Sequence, residues 1–355
     1  MKPFVCQTFS SRVVFGAGSL GHLVREIDTL GVTRALILST PEQRVSAERV
    51  ADLLGARSAG IFAKAVMHVP IETAREARDA ARELGADCAV AIGGGSTTGL
   101  GKAVALESGL PTVAIPTTYA GSEMTSIYGI TEAGFKRAGR DPRVLPRTVI
   151  YDPELSRSLP IDLSMTSGLN AIAHAAEGLY AHDGNPITAL MAEEGIRAMS
   201  SALRTLRKDP YDLDARGDAL YGAWLCGSVL GAVSMGLHHK LCHTLGGTFD
   251  LPHAEVHAVM LPHALAYNAN LAPEAMLRIG RALGADDATI GLQELATTLG
   301  TPTSLRQIGM LESSLERAAI VAVSEPYPNP RPLEYGPVRA LLQRAFEGDV
   351  PAMEP

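Results

Sequence analysis

Short apolar runs alternate with amphipathic stretches along the first part of the chain. Arg34–Ser39 (RALILS), Ser58–Phe62, Cys88–Ile92 (CAVAI) and Pro111–Ile115 (PTVAI) are continuous apolar runs of strand length. Such runs, rather than strict alternation, mark strands covered on both faces. Between them, Ile71–Leu84 repeats its apolar positions at helical spacing. The β-α-β alternation predicts a parallel sheet flanked by helices. Val149–Tyr151, closed by Asp152-Pro153, is the expected last strand of this region. After Leu159-Pro160 the pattern changes to long Ala/Leu/Met-rich stretches with few β-branched runs, which predicts helices throughout. The expected organisation is an α/β N-terminal domain with a parallel sheet over residues 1–160 and an all-α C-terminal domain over residues 161–355. Residues 219–237 (ALYGAWLCGSVLGAVSMGL) carry no charge and reach membrane-spanning length. Their four glycines, and the His238-His239-Lys240 that follows, favour one long buried helix instead.

A chain of 355 residues exceeds a single ordinary core, which agrees with two domains. With 46% apolar and 19% charged residues, enough surface can be buried to order the whole chain. The formal charge of -7, without any basic run, argues against a nucleic-acid surface. An anionic ligand would therefore have to meet locally concentrated positive charge. Cys6, Cys88, Cys226 and Cys242 show no CxxC spacing and read as reduced thiols. Met1–Ser11 lacks the features of a signal peptide, so a cytoplasmic location without membrane attachment is expected.

Strand Cys88–Ile92 runs into Gly93-Gly94-Gly95-Ser96-Thr97-Thr98 and then a helical stretch through Lys102. Glycines at a strand-to-helix junction let backbone N–H groups approach a pyrophosphate at the helix N-terminus. Ser96 or Thr97 is expected to cap that helix. The plainer alternative is a glycine turn, but three successive glycines weaken local structure unless their backbone is used. Gly16-Ala17-Gly18-Ser19 is only half of a dinucleotide fingerprint. Pro116-Thr117-Thr118-Tyr119-Ala120-Gly121-Ser122-Glu123 forms a hydroxyl-rich loop at a strand's carboxyl end, where open α/β sheets bind ligands. Thr117, Thr118 and Ser122 join Gly93, Gly94, Gly95 and Ser96 as cofactor candidates. The strand ending at Ser39 offers neutral Ser39 and Thr40 where a carboxylate usually holds the ribose 2′-hydroxyl. NADH and NADPH both stay open, and Ser39 is a further candidate.

Asn170 and His174 are four residues apart, as are His239 and His243, and His253 follows after Gly246-Gly247, which is expected to be a turn. Residues four apart share a helix face. Two such pairs point to one polar centre rather than to isolated core histidines. His238, His257 and His263 gain nothing from spacing and read as structural. A metal site is the first chemistry such a set suggests. The amide of Asn170, where a balancing carboxylate would be needed, counts against it.

The GGGS at 93–96, PTT…GSE at 116–123, the DP at 152–153 and the histidine set resemble the iron-containing (group III) alcohol dehydrogenase family. The resemblance covers nearly the whole chain. It implies an N-terminal dinucleotide-binding domain and a helical domain with the active site in the cleft between them. In that family an Asp and three His hold the metal; the matching positions are Asn170, His174, His239 and His253, with His243 a further active-site histidine. Asn170 breaks that set, and Gly99 breaks the family's GGGSxxDxAK pattern. These departures resemble the maleylacetate reductase branch, as do GGGSTTGLGKA (93–103), PTTYAGSEMT (116–125), GRDPRVLP (139–146), GLNAIAHAAEGLYA (168–181), HHKLCHTLGG (238–247) and NPRP (329–332). The branch implies a homodimer that reduces the C=C bond of maleylacetate to 3-oxoadipate late in bacterial breakdown of aromatic compounds, without an obligatory metal. Chloromaleylacetate, with loss of chloride, is left open as a second substrate. Lys136 matches a family lysine near the nicotinamide ribose, although a surface lysine reads equally well. Tyr119, Lys240 and Arg331 are candidates for the two substrate carboxylates, alongside the imidazoles. The competing function is a metal-dependent alcohol or polyol dehydrogenase of the same superfamily.

Overall fold

The structure is a computed structural model that describes residue 4 and residues 11–133, 135–325 and 327–352; the Lys136 side chain lies outside what is described. Two compact units are formed, one over Thr8–Leu159 and one from Pro160 onward.

The first unit contains β1 (Arg12–Phe15), α1 (Leu23–Thr29), β2 (Ala35–Leu38), α2 (Arg44–Leu54), β3 (Ser58–Phe62), α3 (Ile71–Glu83), β4 (Cys88–Gly93), α4 (Gly95–Ser108), β5 (Thr112–Pro116), β6 (Ile127–Glu132), β7 (Phe135–Arg140) and β8 (Thr148–Tyr151). Six strands form one parallel sheet in the order β1-β8-β5-β4-β2-β3. Strand alternation sends Ile37, Val90, Ile92, Val113 and Ile115 to one face, against Leu23, Ile27, Val50 and Leu54. Leu36, Leu38 and Ala89 go to the other, against Ala74, Ala77, Leu100 and Val104. Both faces are therefore covered by helices, which is why the strands read as unbroken apolar runs. β6 and β7 pair separately as an antiparallel hairpin.

The second unit is helical: α5 (Ile161–Tyr180), α6 (Pro186–Lys208), α7 (Leu213–Ala232), α8 (Leu237–Phe249), α9 (His253–Asn268), α10 (Pro273–Leu283), α11 (Ala288–Leu299), α12 (Leu315–Val323) and α13 (Tyr335–Glu347). One of its cores gathers Leu241, Leu245, Val256, Met260, Leu315, Leu341 and Phe346.

The long helix expected over residues 219–237 is corrected. α7 stops at Ala232, Val233 is extended (φ -132°, ψ 170°), and α8 leaves at 96° to α7. Two carboxylates distant in sequence stabilise the break. Asp183 accepts from Ser234 N (2.9 Å) and Ser234 Oγ (2.8 Å), and Glu177 accepts from Gly236 N (3.1 Å). Among the described residues, no single helix is long and apolar enough to cross a membrane. Gly246-Gly247 is also no turn: both residues lie inside α8, which ends at Asp250 in the left-handed region (φ 54°).

Candidate active site

β2, β4 and β5 are neighbours in the sheet, so the segments after them stand side by side at its carboxyl edge. Gly93 pairs with Pro116, and Thr117 N donates to Gly93 O at 3.0 Å. Gln43 Nε2 donates to Thr117 Oγ1 at 2.8 Å, tying the segment after β2 to the segment after β5.

The glycine run has three distinct roles. Gly93 has φ +150°, and a Cβ there would lie 2.4 Å from Thr97 Oγ1. A Cβ on Gly94 would come within 2.9 Å of Thr118 Cγ2. Gly95 is exposed, and a Cβ on it would meet only Ala120 Cβ, at 3.5 Å. The expected hydroxyl cap is corrected. Gly94 is the N-cap of α4 and makes no side-chain bond; Ser96 and Thr97 lie within the first turn. A glycine cap leaves the first N–H groups of α4 to a ligand rather than to a neighbouring side chain. Gly93 and Gly94 lack a Cβ because the Thr97, Gln43 and Thr118 side chains pack directly against them. Ser39 is fully buried, with Oγ unpartnered among the described residues. Thr118 and Ser122 are half-buried, whereas Tyr119 is fully buried.

Lys102, eight residues after Gly94 on α4, is buried and donates to Ser122 O (2.6 Å), Thr125 Oγ1 (2.8 Å) and Ile127 O (2.7 Å). It pins the hydroxyl-rich loop to the helix that begins at the glycines. Burial brings its ammonium down to about 7, against the pull of Glu123.

The histidines gather within the helical unit. Asn170 and His174 are on α5, His239 and His243 on α8, and His253 opens α9. Ring centroids are 5.0 Å apart for His174–His239, 6.3 Å for His239–His243 and 6.4 Å for His243–His253. His238 and His257, read from the sequence as structural, belong to the same group: His257 lies 5.1 Å from His239 and 4.5 Å from His253. His263 makes no such ring contact among the described residues. His174 Nδ1, His239 Nε2, Asn170 Oδ1 and both His257 nitrogens are buried without a partner among the described residues. Buried polar atoms are ordinarily bonded, so this concentration marks a place built for something else. Burial first, then the neighbouring imidazoles, hold His174 and His257 well below the usual histidine range. His243 is exposed and His253 half-buried.

Glu177 organises this group and was not singled out in the sequence. It lies three residues after His174 on α5, with a fully buried side chain. Its Oε2 is 2.6 Å from His239 Nδ1, and its oxygens accept from Gly236 N (3.1 Å) and His238 N (2.8 Å). One carboxylate thus caps the start of α8 and holds an imidazole. That contact fixes the orientation of the His239 ring and turns Nε2 away from Glu177. Burial works to raise this carboxyl, but the His239 bond and the surrounding donors outweigh it and hold it at about 2. A Glu three residues beyond His174, in the Ala-rich half of α5, was the available signal, since such a residue is almost never buried without a partner.

Lys240 is half-buried, with Nζ 5.7 Å above the Tyr327 ring. Arg331 stacks on Tyr267 at 4.6 Å. Lys136 belongs to β7, and its side chain lies outside the described residues.

The donor set at the positions 170, 174, 239 and 253 is an amide and three imidazoles, none of them anionic. Glu177 already commits its oxygens to Gly236, His238 and His239. His238, His239 and His257 bring ring nitrogens within 4.8 Å of one another. Of these, His238 Nε2 is already 3.2 Å from His257 O. A hard divalent ion favours a charged oxygen ligand, and these residues do not fit one well.

Comparison with known proteins gives two family matches: residues 10–153 match "iron-containing alcohol dehydrogenase", and residues 164–346 match "Fe-containing alcohol dehydrogenase family, C-terminal". A maleylacetate reductase of Burkholderia cepacia is 67% identical over 352 residues, covering 99% of this chain and all of that protein. A maleylacetate reductase of Sphingobium indicum is 58% identical, covering 97% of this chain and 98% of its own. The crystal structure of maleylacetate reductase from Agrobacterium tumefaciens superposes with a TM-score of 0.96 at 54% identity, covering 99% of this chain and all of that one.

Proposed function

This chain belongs to the iron-containing alcohol dehydrogenase family, and from that premise we propose that it reduces the C=C bond of maleylacetate with NADH or NADPH, giving 3-oxoadipate. The observation that carries this is full-length identity well above half with enzymes of that activity. The chain is an NAD(P)H-dependent oxidoreductase.

The substrate is a dicarboxylate whose C=C bond is conjugated to a ketone. Hydride from the reduced nicotinamide adds to the alkene carbon β to the ketone. The π electrons move onto the ketone oxygen, leaving an enolate and oxidised nicotinamide. The enolate then takes a proton on its α-carbon. Two kinds of group are needed: donors for the developing oxyanion, and an acid. The histidine group supplies imidazoles for both. His243, exposed on α8, is proposed as the acid or its relay, since it can be reprotonated from water. His174, His239 and His253 hold the substrate oxygens. Asn170 contributes an amide donor where a carboxylate would repel the oxyanion. The nicotinamide dinucleotide is held through Gly93, Gly94, Gly95 and Ser96, with Thr117, Thr118, Ser122 and Ser39 alongside. This scheme uses no metal step, consistent with the neutral donor set at residues 170, 174, 239 and 253. The homodimer expected from the resemblance is part of the proposal, and sedimentation velocity tests it.

The decisive experiment follows NADH absorbance with freshly generated maleylacetate, before and after exhaustive chelation. Substrate-dependent oxidation that survives chelation is expected. Loss of most activity, restored by iron or zinc, would sink the metal-free scheme and favour a metal-dependent dehydrogenase of the same family. No oxidation at all would sink the assignment.

A further inference from the structure

The hydroxyl-rich loop after β5 leans on the start of α4. A Cβ on Gly94 would lie 2.9 Å from Thr118 Cγ2, and one on Gly95 would lie 3.5 Å from Ala120 Cβ. Loop and helix start therefore form one wall at the carboxyl edge of the sheet. The loop is fastened at both ends. At its beginning, Thr117 N donates to Gly93 O and Gln43 Nε2 donates to Thr117 Oγ1. At its far end, Tyr151 Oη donates to Glu123 Oε1 at 2.8 Å, and Lys102 reaches over from further along α4.

Lys102 is 1% exposed, and its Nζ sits among Ser122 O, Thr125 Oγ1 and Ile127 O. An ammonium has three hydrogens and no acceptor. The two carbonyls only accept. Thr125 Oγ1 is also used as an acceptor, because it receives Ile127 N at 3.2 Å and gives its own hydrogen to Ser122 O at 3.1 Å. Three acceptors thus match three hydrogens. A neutral amine keeps two hydrogens and gains a lone pair. It can still serve both carbonyls, but the lone pair then faces Thr125. The Thr125 hydroxyl satisfies it only by turning away from Ser122 O. Ser122, one of the residues proposed to line the cofactor, loses a bond in that exchange.

We propose that Lys102 is a positioning residue for the nicotinamide dinucleotide: its protonated, three-bonded form holds the loop against the start of α4, and loss of that proton loosens the loop and weakens cofactor binding. This rests on the cofactor site proposed above, and it adds a residue that acts through the loop and a dependence on pH. Burial brings the ammonium down to about 7, so the change falls within an accessible range. The charges that bear on it are Glu123, from the loop, and Arg140, from β7. Glu123 is itself buried, which raises its carboxyl. Nearby, Arg78 pairs with Glu107, Arg143 with Asp141, and Glu132 with Arg75 and Arg137.

The test is a fluorescence titration with NADH alone, from pH 6 to 9, on wild type, Lys102→Met, Thr125→Val and Thr125→Ser. The amine is neutral above about 7, so the weaker binding lies on the alkaline side. Wild-type Kd should rise by about two- to tenfold across that point, the worth of one hydrogen bond. Lys102→Met keeps the length but has no hydrogens to give. It should bind no tighter than wild type at pH 9, at every pH, with the step gone. Thr125→Val removes the third acceptor, so the ammonium is no longer favoured and the step should move below the window. Thr125→Ser returns the hydroxyl and should return the step. The Thr125 pair decides the matter if Lys102→Met does not fold. A lysine that merely supports the fold would lower Tm without giving wild type any step. A wild-type Kd independent of pH would overturn the proposal, as would the wild-type step persisting in Lys102→Met or Thr125→Val. Because the titration contains no substrate, NADH binding in the expected pattern without reduction of maleylacetate would support the role of Lys102 while sinking the reaction.

Discussion

His243 stands one helical turn beyond His239 and is exposed, which distinguishes it from the buried imidazoles around it. His243→Ala is expected to lower kcat by roughly two to four orders of magnitude, the worth of a positioned general acid. NADH affinity should hold, and single-turnover NADH oxidation measures both. An unchanged rate would pass the role to His253. Gly95 offers a separate test. Its Cβ has room, so Gly95→Ala should fold normally and yet weaken nicotinamide binding in a fluorescence titration. Equal affinity would reduce the loop to a turn. Glu177→Ala removes the α8 cap and the His239 lock together and is expected to cost about 3–5 kcal/mol in denaturant melts. The sequence exposed the histidines through i, i+4 spacing, a property of one helix. It hid Glu177, His238 and His257, because their value comes from what α5, α8 and α9 bring together.

At the scale of elements, the strands were legible almost to the residue. Ser58–Phe62 matches β3, and the ends of the others differ by one position. Burial on both faces leaves unbroken apolar runs that only a parallel sheet explains. The α7–α8 break was not legible, because hydropathy continues across it while its cause sits in Asp183 and Glu177. The hydroxyl cap of α4 failed for a related reason: Gly94 already occupies the capping position. The break gives its own expectation. Asp183→Ala removes both bonds to Ser234, which are solvent-exposed, and should lower stability by about 0.5–1.5 kcal/mol, the net worth of such hydrogen bonds. Hydrogen exchange should then speed up at the start of α8 before it does elsewhere. Uniform exchange across both helices would mean that Glu177 alone maintains the break.

Across the whole molecule, buried imidazoles set the response to acid. His174 and His257 are held well below the ordinary value, and His238 at about 4, in each case mainly by burial. In the unfolded chain these histidines take up protons near pH ~6.5, before the folded protein does. Stability should therefore fall as pH drops below that value, each imidazole adding about 1.4 kcal/mol per pH unit. The His238 contribution levels off near pH 4. Glu177 acts lower: its contribution is complete above its unfolded value of ~4.3 and is lost as pH falls toward 2. Thermal melts from pH 7.5 downward should show this decline, and a flat profile to pH 5 would contradict it. The same crowd of neutral rings bears on how the substrate arrives. A dianion settling among uncharged imidazoles raises their affinity for protons, so binding should draw protons from solution. Calorimetry in buffers of different ionisation enthalpy would then report a heat that tracks the buffer, and the acid for the second half of the reaction would enter with the substrate.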